Sequence, residues 1–355
     1  MRGDRLKKSR NFQYDLIRFV AMFLVLCLHS EAITRYFVHL KPQAFILSTL
    51  LISLFNSGTY IFFMLSGKFA LGKKFNDKND YISFYLKKLF TIVIPFIIIS
   101  FLFMAWTHRY SPQDLFRFYF FLSANKIEGS YWFVYILVAL IISTPFLAKM
   151  IQAWSKKDQK YFFIIACCIE TYVLFNMIVK SGNSLNLGAF PLMEWTLFYI
   201  LGYIGEDLFN EKVRRVFIYC IPLTILLKTI LQCLYVSSFH TASHILTTIE
   251  VLGIYYFLLD KLKIKNEKSQ KVISFIVKHG FMVYLLHPMA LIYISKVLNF
   301  SHSLKMNIVN GIISVVIAFT TSFIVGFLFD KLLFDPINKY GDKVIEKVKK
   351  KLVKV

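Results

Sequence analysis

Apolar residues along this chain fall in runs of about twenty, separated by short polar and basic stretches. A run of about that length crosses a bilayer as helix. Ten runs qualify: 15–36, 44–66, 89–106, 131–151, 161–179, 190–209, 216–236, 242–260, 272–294 and 307–329. The pattern predicts an all-α, polytopic integral membrane protein with about ten transmembrane helices. It divides the chain into a basic tail over 1–13, a membrane domain over 14–330 and a basic tail over 331–355. In the last tail Val344, Val348 and Leu352 recur at helical spacing among lysines, which predicts an amphipathic helix lying on the inner leaflet. The loop 107–130 is the longest on the opposite side. Ser111-Pro112-Gln113-Asp114 reads there as a helix start, with Ser at the N-cap and Pro at the first helical position. The apolar stretch Leu115 to Leu122 after it is too short to span and predicts an interfacial or re-entrant helix.

Composition agrees with a membrane class. Hydrophobic residues make up 57% of the chain and Phe alone supplies 38 of its 355 residues, which a soluble domain does not show. The net charge of +22 suggests a nucleic-acid partner until its distribution is read. Arg18 and Lys228 lie within runs. With both termini inside, 32 of the other 40 Lys and Arg fall on the cytoplasmic side, and only Arg35, Lys41, Arg109, Arg117, Lys126, Lys180, Lys296 and Lys305 fall outside. That is the positive-inside bias. It accounts for the charge without nucleic acid, and it leaves the tail over 1–13 to touch anionic lipid heads. The N-terminus reads as retained rather than cleaved, because no small-x-small site follows His29. Cys27, Cys167, Cys168, Cys220 and Cys233 all lie in apolar runs, without a Cys-x-x-Cys, and read as small core residues.

Polar residues inside the runs carry the chemistry. The first run holds Asp15, Arg18 and His29. Arg18 and His29 are eleven residues apart, three helical turns plus roughly 20°, so they share a face about 16.5 Å apart along the axis. Asp15 lies one turn before Arg18 and can pair with it. Ionisable groups in a span usually face a cavity or a partner; the plainer account is a signal-anchor helix with a snorkelling Arg and a packed His. Lys228 in the seventh run calls for a carboxylate, either Glu250 or Glu170. Gly58 and Gly67 permit close helix approach. Glu194-Trp195 opens the sixth run, where a carboxylate can meet a sugar hydroxyl. Tyr131 and Trp132 stand at an interface, as anchors or as an acceptor-binding surface. His279 starts the ninth run at the inner face. Tyr284 and His287 share one face of that run, and Pro288 frees a backbone carbonyl there. His240 and His244 have no acidic companion, and no metal is expected. Lys73, Lys74, Lys78, Lys87 and Lys88 precede the third run. Cations at a helix N-terminus oppose its dipole, so either they are topogenic or lysines and amides together hold an anion such as a nucleotide phosphate.

The Arg18/His29 spacing resembles the hallmark of the type-3 membrane acyltransferases. Later segments resemble the family in order: Phe62-Phe-Met-Leu-Ser-Gly67, Phe84-Tyr-Leu-Lys-Lys-Leu with Ile94-Pro95, Tyr131-Trp-Phe133, Tyr199-Ile-Leu-Gly-Tyr203 and Tyr284-Leu-Leu-His-Pro288. The likeness covers roughly residues 12 to 295. It implies an O-acyltransferase that moves an acetyl group from cytoplasmic acetyl-CoA to a hydroxyl of a surface polysaccharide or its lipid-linked precursor in a bacterial cell membrane. Succinyl-CoA is a live alternative donor. The residues expected to act are His29, Arg18 and Asp15 in catalysis. Arg18, Lys87, Lys88 and Ser66 are expected at the donor. Tyr131, Trp132, Glu194, Tyr284 and His287 are expected at the acceptor. Where the family usually has arginines, this chain has Lys87 and Lys88, which lack the bidentate fork. A homodimer or a polysaccharide-synthesis complex is the partner class implied. A transporter or flippase is the reading from another class, and so is a non-catalytic scaffold of a polysaccharide synthase, which leaves the Arg18/His29 register unexplained.

Overall fold

The computed structural model describes residues 11–30, 42–108, 111–116, 118, 127–179, 192–235, 242–298 and 304–352, and every regular element among them is helical. Helix α1 spans Phe12–His29 and α2 spans Pro42–Ala70. Helix α3 (Lys78–Lys88) runs through a π turn (Leu89–Val93) into α4 (Ile94–Trp106). A short helix α5 covers Pro112–Phe116. A 3-10 turn (Gly129–Tyr131) leads into α6 (Trp132–Gln152), and α7 spans Lys156–Val179. Then come α8 (Trp195–Leu208), α9 (Glu211–Tyr235) and α10 (Ile245–Tyr256), the last continued by a π turn (Phe257–Lys261). Helices α11 (Glu267–Lys278) and α12 (Gly280–Val297) follow, then α13 (Leu304–Phe329), a third π turn (Asp330–Phe334) and α14 (Asp335–Leu352).

Eight helices among the described residues are long and apolar enough to cross a membrane. The molecule is an all-α polytopic membrane protein. The runs 190–209 and 242–260 are the two outside that set: α8 has 14 described residues, and α10 with its π turn is helical only over Ile245–Lys261. Both are largely buried, α8 against α2 and α10 against α9.

Three boundaries differ from expectation. The first helix ends on His29, because Ser30 turns extended (φ −71°, ψ 108°). The third begins at Lys78, where Asp77 and Asp80 form a reciprocal capping box. Lys87 and Lys88 therefore sit in a last turn that continues onward, not at a helix N-terminus, and no free amides stand beside them. The basic tail is helical and continuous with the last span: α13 passes through its π turn into α14, which docks on α3. Lys87 Nζ meets Asp342 at 2.7 Å, and a Cβ on Gly341 would come within 2.5 Å of the Phe90 ring. At Ser111 the predicted cap is present: Asp114 N donates to Ser111 Oγ at 3.1 Å, and Ser111 Oγ donates to Asp114 at 2.6 Å. Most of 107–130 beyond that point, the tail 1–10, and His240 lie outside the described residues.

The core is organised on α2, which packs against α1, α8 and α9. Gly67 and Gly202 let α2 and α8 touch backbone to backbone. A Cβ on Gly67 would lie 1.7 Å from Tyr199 O, and one on Gly202 would lie 1.9 Å from Met64 O. On the α9 side, Lys228 Nζ pairs with Glu250 at 2.8 Å, with exposures of 1% and 0%. Ser53 and Ser57 of α2 donate to the same carboxylate at 3.1 and 3.0 Å. Glu170, the other candidate, instead accepts from Ser243 and Thr248 at 2.9 and 2.7 Å.

Removing one member of a buried pair strands the other, at a cost of about 3–5 kcal/mol. Lys228→Met is expected to destabilise the purified protein by that order, and adding Glu250→Gln to recover most of the loss. Thermal unfolding in one detergent compares them; equal stability of the single and double variants would contradict this.

Candidate active site

The site begins where α1 crosses α2. Asp15 is buried and accepts from Ser274 Oγ at 2.8 Å, so it is fixed from α11. Arg18 Nη1 lies 3.5 Å from Asp15 Oδ1, and its guanidinium stands over the Phe69 ring at 5.5 Å. Beyond it opens a cavity of about 240 Å³ whose polar lining is Arg18, Ser66, Lys73, Lys88 and Tyr199. Lys73 and Lys88 flank one ring, Phe84, at 5.0 and 6.0 Å. Desolvation draws the Lys73 ammonium below the ordinary lysine pKa. Three cations around one small space make it suited to a multiply charged anion, held by side chains alone.

Two local features aim these groups. In the Ser66-Gly67 pair, Gly67 takes the α8 backbone, and Ser66 beside it faces the cavity. The π turn after Lys88 brings Thr91 and Ile92 to the wall, a use often made of such turns.

A second cavity of about 280 Å³ shares Arg18, Phe62, Ser66, Ile92 and Leu137 with the first and extends to Phe133, Gly280 and Tyr284. Tyr284 packs on Phe133 (ring centroids 5.4 Å) and on His287 (5.4 Å), and His287 lies 5.2 Å from His29. The second cavity thus runs from Arg18 to Tyr284, and His287 and His29 stand beyond Tyr284 without lining either cavity. The two histidines, eleven-residue partner and ninth-run candidate, are neighbours. Tyr131 is buried and donates to Leu285 O at 2.8 Å, while Tyr284 OH donates to Ser130 O.

Other candidates lie apart. Lys87 turns away to Asp342. Trp132 packs on Trp195 at 4.6 Å, one side chain removed from the cavity wall at Phe133. Glu194 is exposed at the start of α8, with φ 50°, and lines neither cavity. His279 pairs through Nδ1 with Asp330 at 2.5 Å inside a cage of Phe275, Phe323 and Phe327. His244 is buried at the start of α10.

Sequence reasoning missed one node. Glu206 of α8 accepts from Tyr14 and Tyr255 at 2.9 Å each and pairs with Lys68 at 2.9 Å. It ties α1, α2, α8 and α10 together beside Arg18. An acidic residue near the end of an apolar run was the available signal.

A family model described as an acyltransferase domain matches residues 11–331. The chain belongs to the type-3 membrane acyltransferase family. No curated protein and no solved structure matches it. The match covers α1 through α13, so both cavities and both histidines of this acyltransferase fall within the family domain.

The geometry separates two adjacent lysines of the acyltransferase. Charge-assisted contacts contribute about 1.5–3 kcal/mol each, roughly ten- to hundred-fold in affinity. With adenosine 3′,5′-bisphosphate as the anionic probe, Lys88→Ala is expected to weaken binding by that factor and Lys87→Ala to leave it nearly unchanged. Equal effects in a calorimetric titration would remove the first cavity from consideration.

Proposed function

We propose that the acyltransferase moves an acetyl group from acetyl-CoA to a hydroxyl of a cell-surface polysaccharide or its lipid-linked precursor in a bacterial cell membrane. Succinyl-CoA is the alternative donor. The observation that carries this reading is the pair of adjoining cavities, cationic at Arg18, Lys73 and Lys88 and reaching Tyr284, against which His287 and then His29 are packed. In this reading the chain crosses ten times, both termini are cytoplasmic, and α8 and α10 count among the crossings. The basic end then faces the compartment that holds CoA.

The cations receive the CoA phosphates, with Asp15 orienting Arg18 and Ser66 beside the arm. The extended pantetheine arm follows the second cavity past Leu137 and Phe133 and delivers the thioester towards His29, about 16.5 Å along α1 from Arg18. The acceptor arrives from the other side, across the face carrying Trp132 and Glu194, with the buried Tyr131 tying that face to α12 through Leu285 O. His29 takes the proton from the acceptor hydroxyl as the oxygen attacks the thioester carbonyl; the C–S bond breaks and CoA leaves as its thiol. Histidine suits this role because its unperturbed pKa lies near neutrality. A two-step route through an acyl-histidine uses the same residues, and single-turnover trapping of acylated protein separates the two.

Purified protein in nanodiscs with radiolabelled acetyl-CoA tests the reading by hydrolysis or transfer. His29→Gln is expected to lower the rate by about 10²–10⁴ while the protein remains folded and binds donor; near-normal turnover would exclude His29 as the base. Orientation is tested separately in cells with the five native cysteines replaced. A membrane-impermeant thiol reagent should label Asn125→Cys and spare Asn76→Cys, and the reverse would invert the topology.

A further inference from the structure

Tyr284, His287 and Pro288 lie on one turn of α12. Proline has no backbone N–H, so the Tyr284 carbonyl four residues earlier loses its helical partner. His287 Nδ1 replaces it, hydrogen bonding to that carbonyl. A carbonyl can only accept, so Nδ1 carries the ring proton, and Nε2 of the neutral ring is an acceptor. That Nε2 is buried and has no hydrogen-bond partner in the protein. A buried acceptor left unmatched is uncommon enough to need a reason. The ring beside it is His29, at 5.2 Å. The two differ in access: His287 is 0% exposed, whereas His29 is only partly buried.

We infer that the Tyr284-x-x-His287-Pro288 turn is a tautomer lock. It fixes His287 as the Nδ1–H form and leaves Nε2 beside the His29 ring, placed to accept an N–H when that ring turns towards it during the reaction. The other nitrogen of His29 then keeps its lone pair for the acceptor hydroxyl. His287 is a positioning residue in this arrangement, and Pro288 acts through it. The inference rests on the acyl-transfer reading for its purpose, but its chemistry is a property of α12 alone. The proton balance is closed: the hydroxyl proton moves to His29 as the oxygen bonds to the thioester carbon. The C–S bond breaks, and the departing thiolate recovers that proton. His287 stays neutral throughout and steadies the His29 imidazolium through their hydrogen bond.

The experiment is ¹⁵N NMR of the full chain, labelled with ¹⁵N-histidine, in nanodiscs. The His287 signals are assigned by their loss in His287→Asn. The expected spectrum shows a protonated Nδ1 and an unprotonated Nε2 for His287. Pro288→Ala restores a backbone N–H to compete for the Tyr284 carbonyl without removing a core side chain. It should mix the His287 tautomers and lower kcat for acetyl transfer by about 10–100-fold, the usual scale for releasing a held histidine, with KM for acetyl-CoA unchanged. A wild-type His287 protonated on Nε2 would overturn the lock. So would a Pro288→Ala protein with mixed tautomers and unaltered kcat. Should the wild type transfer no acyl group from acetyl- or succinyl-CoA, the functional reading fails, and the spectrum alone decides the lock.

Discussion

The contact on which the bundle depends is the backbone crossing of α2 and α8 at Gly67 and Gly202. Within a bilayer, apolar side chains gain nothing by leaving lipid for protein, so helices associate through close packing and polar contacts. Here the approach is so tight that no side chain larger than hydrogen fits at either position. The consequence reaches the site directly. With Gly67 spent on the crossing, Ser66 is turned into the first cavity, and Tyr199 is held opposite it by its bond to Thr144 at 2.8 Å. Packing and chemistry are thus adjacent residues of one short motif.

Polar contacts do the rest of the holding, and two of them join more than two helices. Glu250 binds Lys228 of α9 and two serines of α2. Glu206 gathers two tyrosines and a lysine. Asp15 is shared between Arg18 and Ser274. A carboxylate has enough acceptor positions to serve several donors, so a few acidic residues suffice to fix the relative rotation of many helices. Most basic residues, by contrast, lie between the apolar runs.

Much of the fold was legible because lipid imposes a length rule that sequence shows directly. The class, the Lys228–Glu250 pairing as one of two options, and the placing of Arg18 and His29 on one helix all came from spacing. What escaped was what spacing does not encode. The π turn after Lys88 shifts the helical register, so the apolar run does not show which residues beyond it reach the cavity wall, and Thr91 and Ile92 do. Nor does a hydropathy run reveal where its neighbour packs: His29 and His287 lie 258 positions apart and meet only through the packing of α1 against α12. The reading of Lys87 and Lys88 as a helix N-terminus failed because the apolar run was taken to begin the helix. The Asp77 cap had already begun it eleven residues before Lys88.

The docking of α14 on α3 has a consequence for the order of events in synthesis. Arg18 and Ser66 emerge early, in the first two helices, but Lys87 and Phe90, which flank the wall formed by Thr91 and Ile92, are met by Asp342 and Gly341, with Asp342 standing 255 positions after Lys87. A growing polypeptide therefore carries its cations long before it carries a bounded chamber for them. The brace that α14 lends to α3 is therefore made long after the cations, and the stretch carrying Lys87 and Phe90 stands without it until α14 has been synthesised.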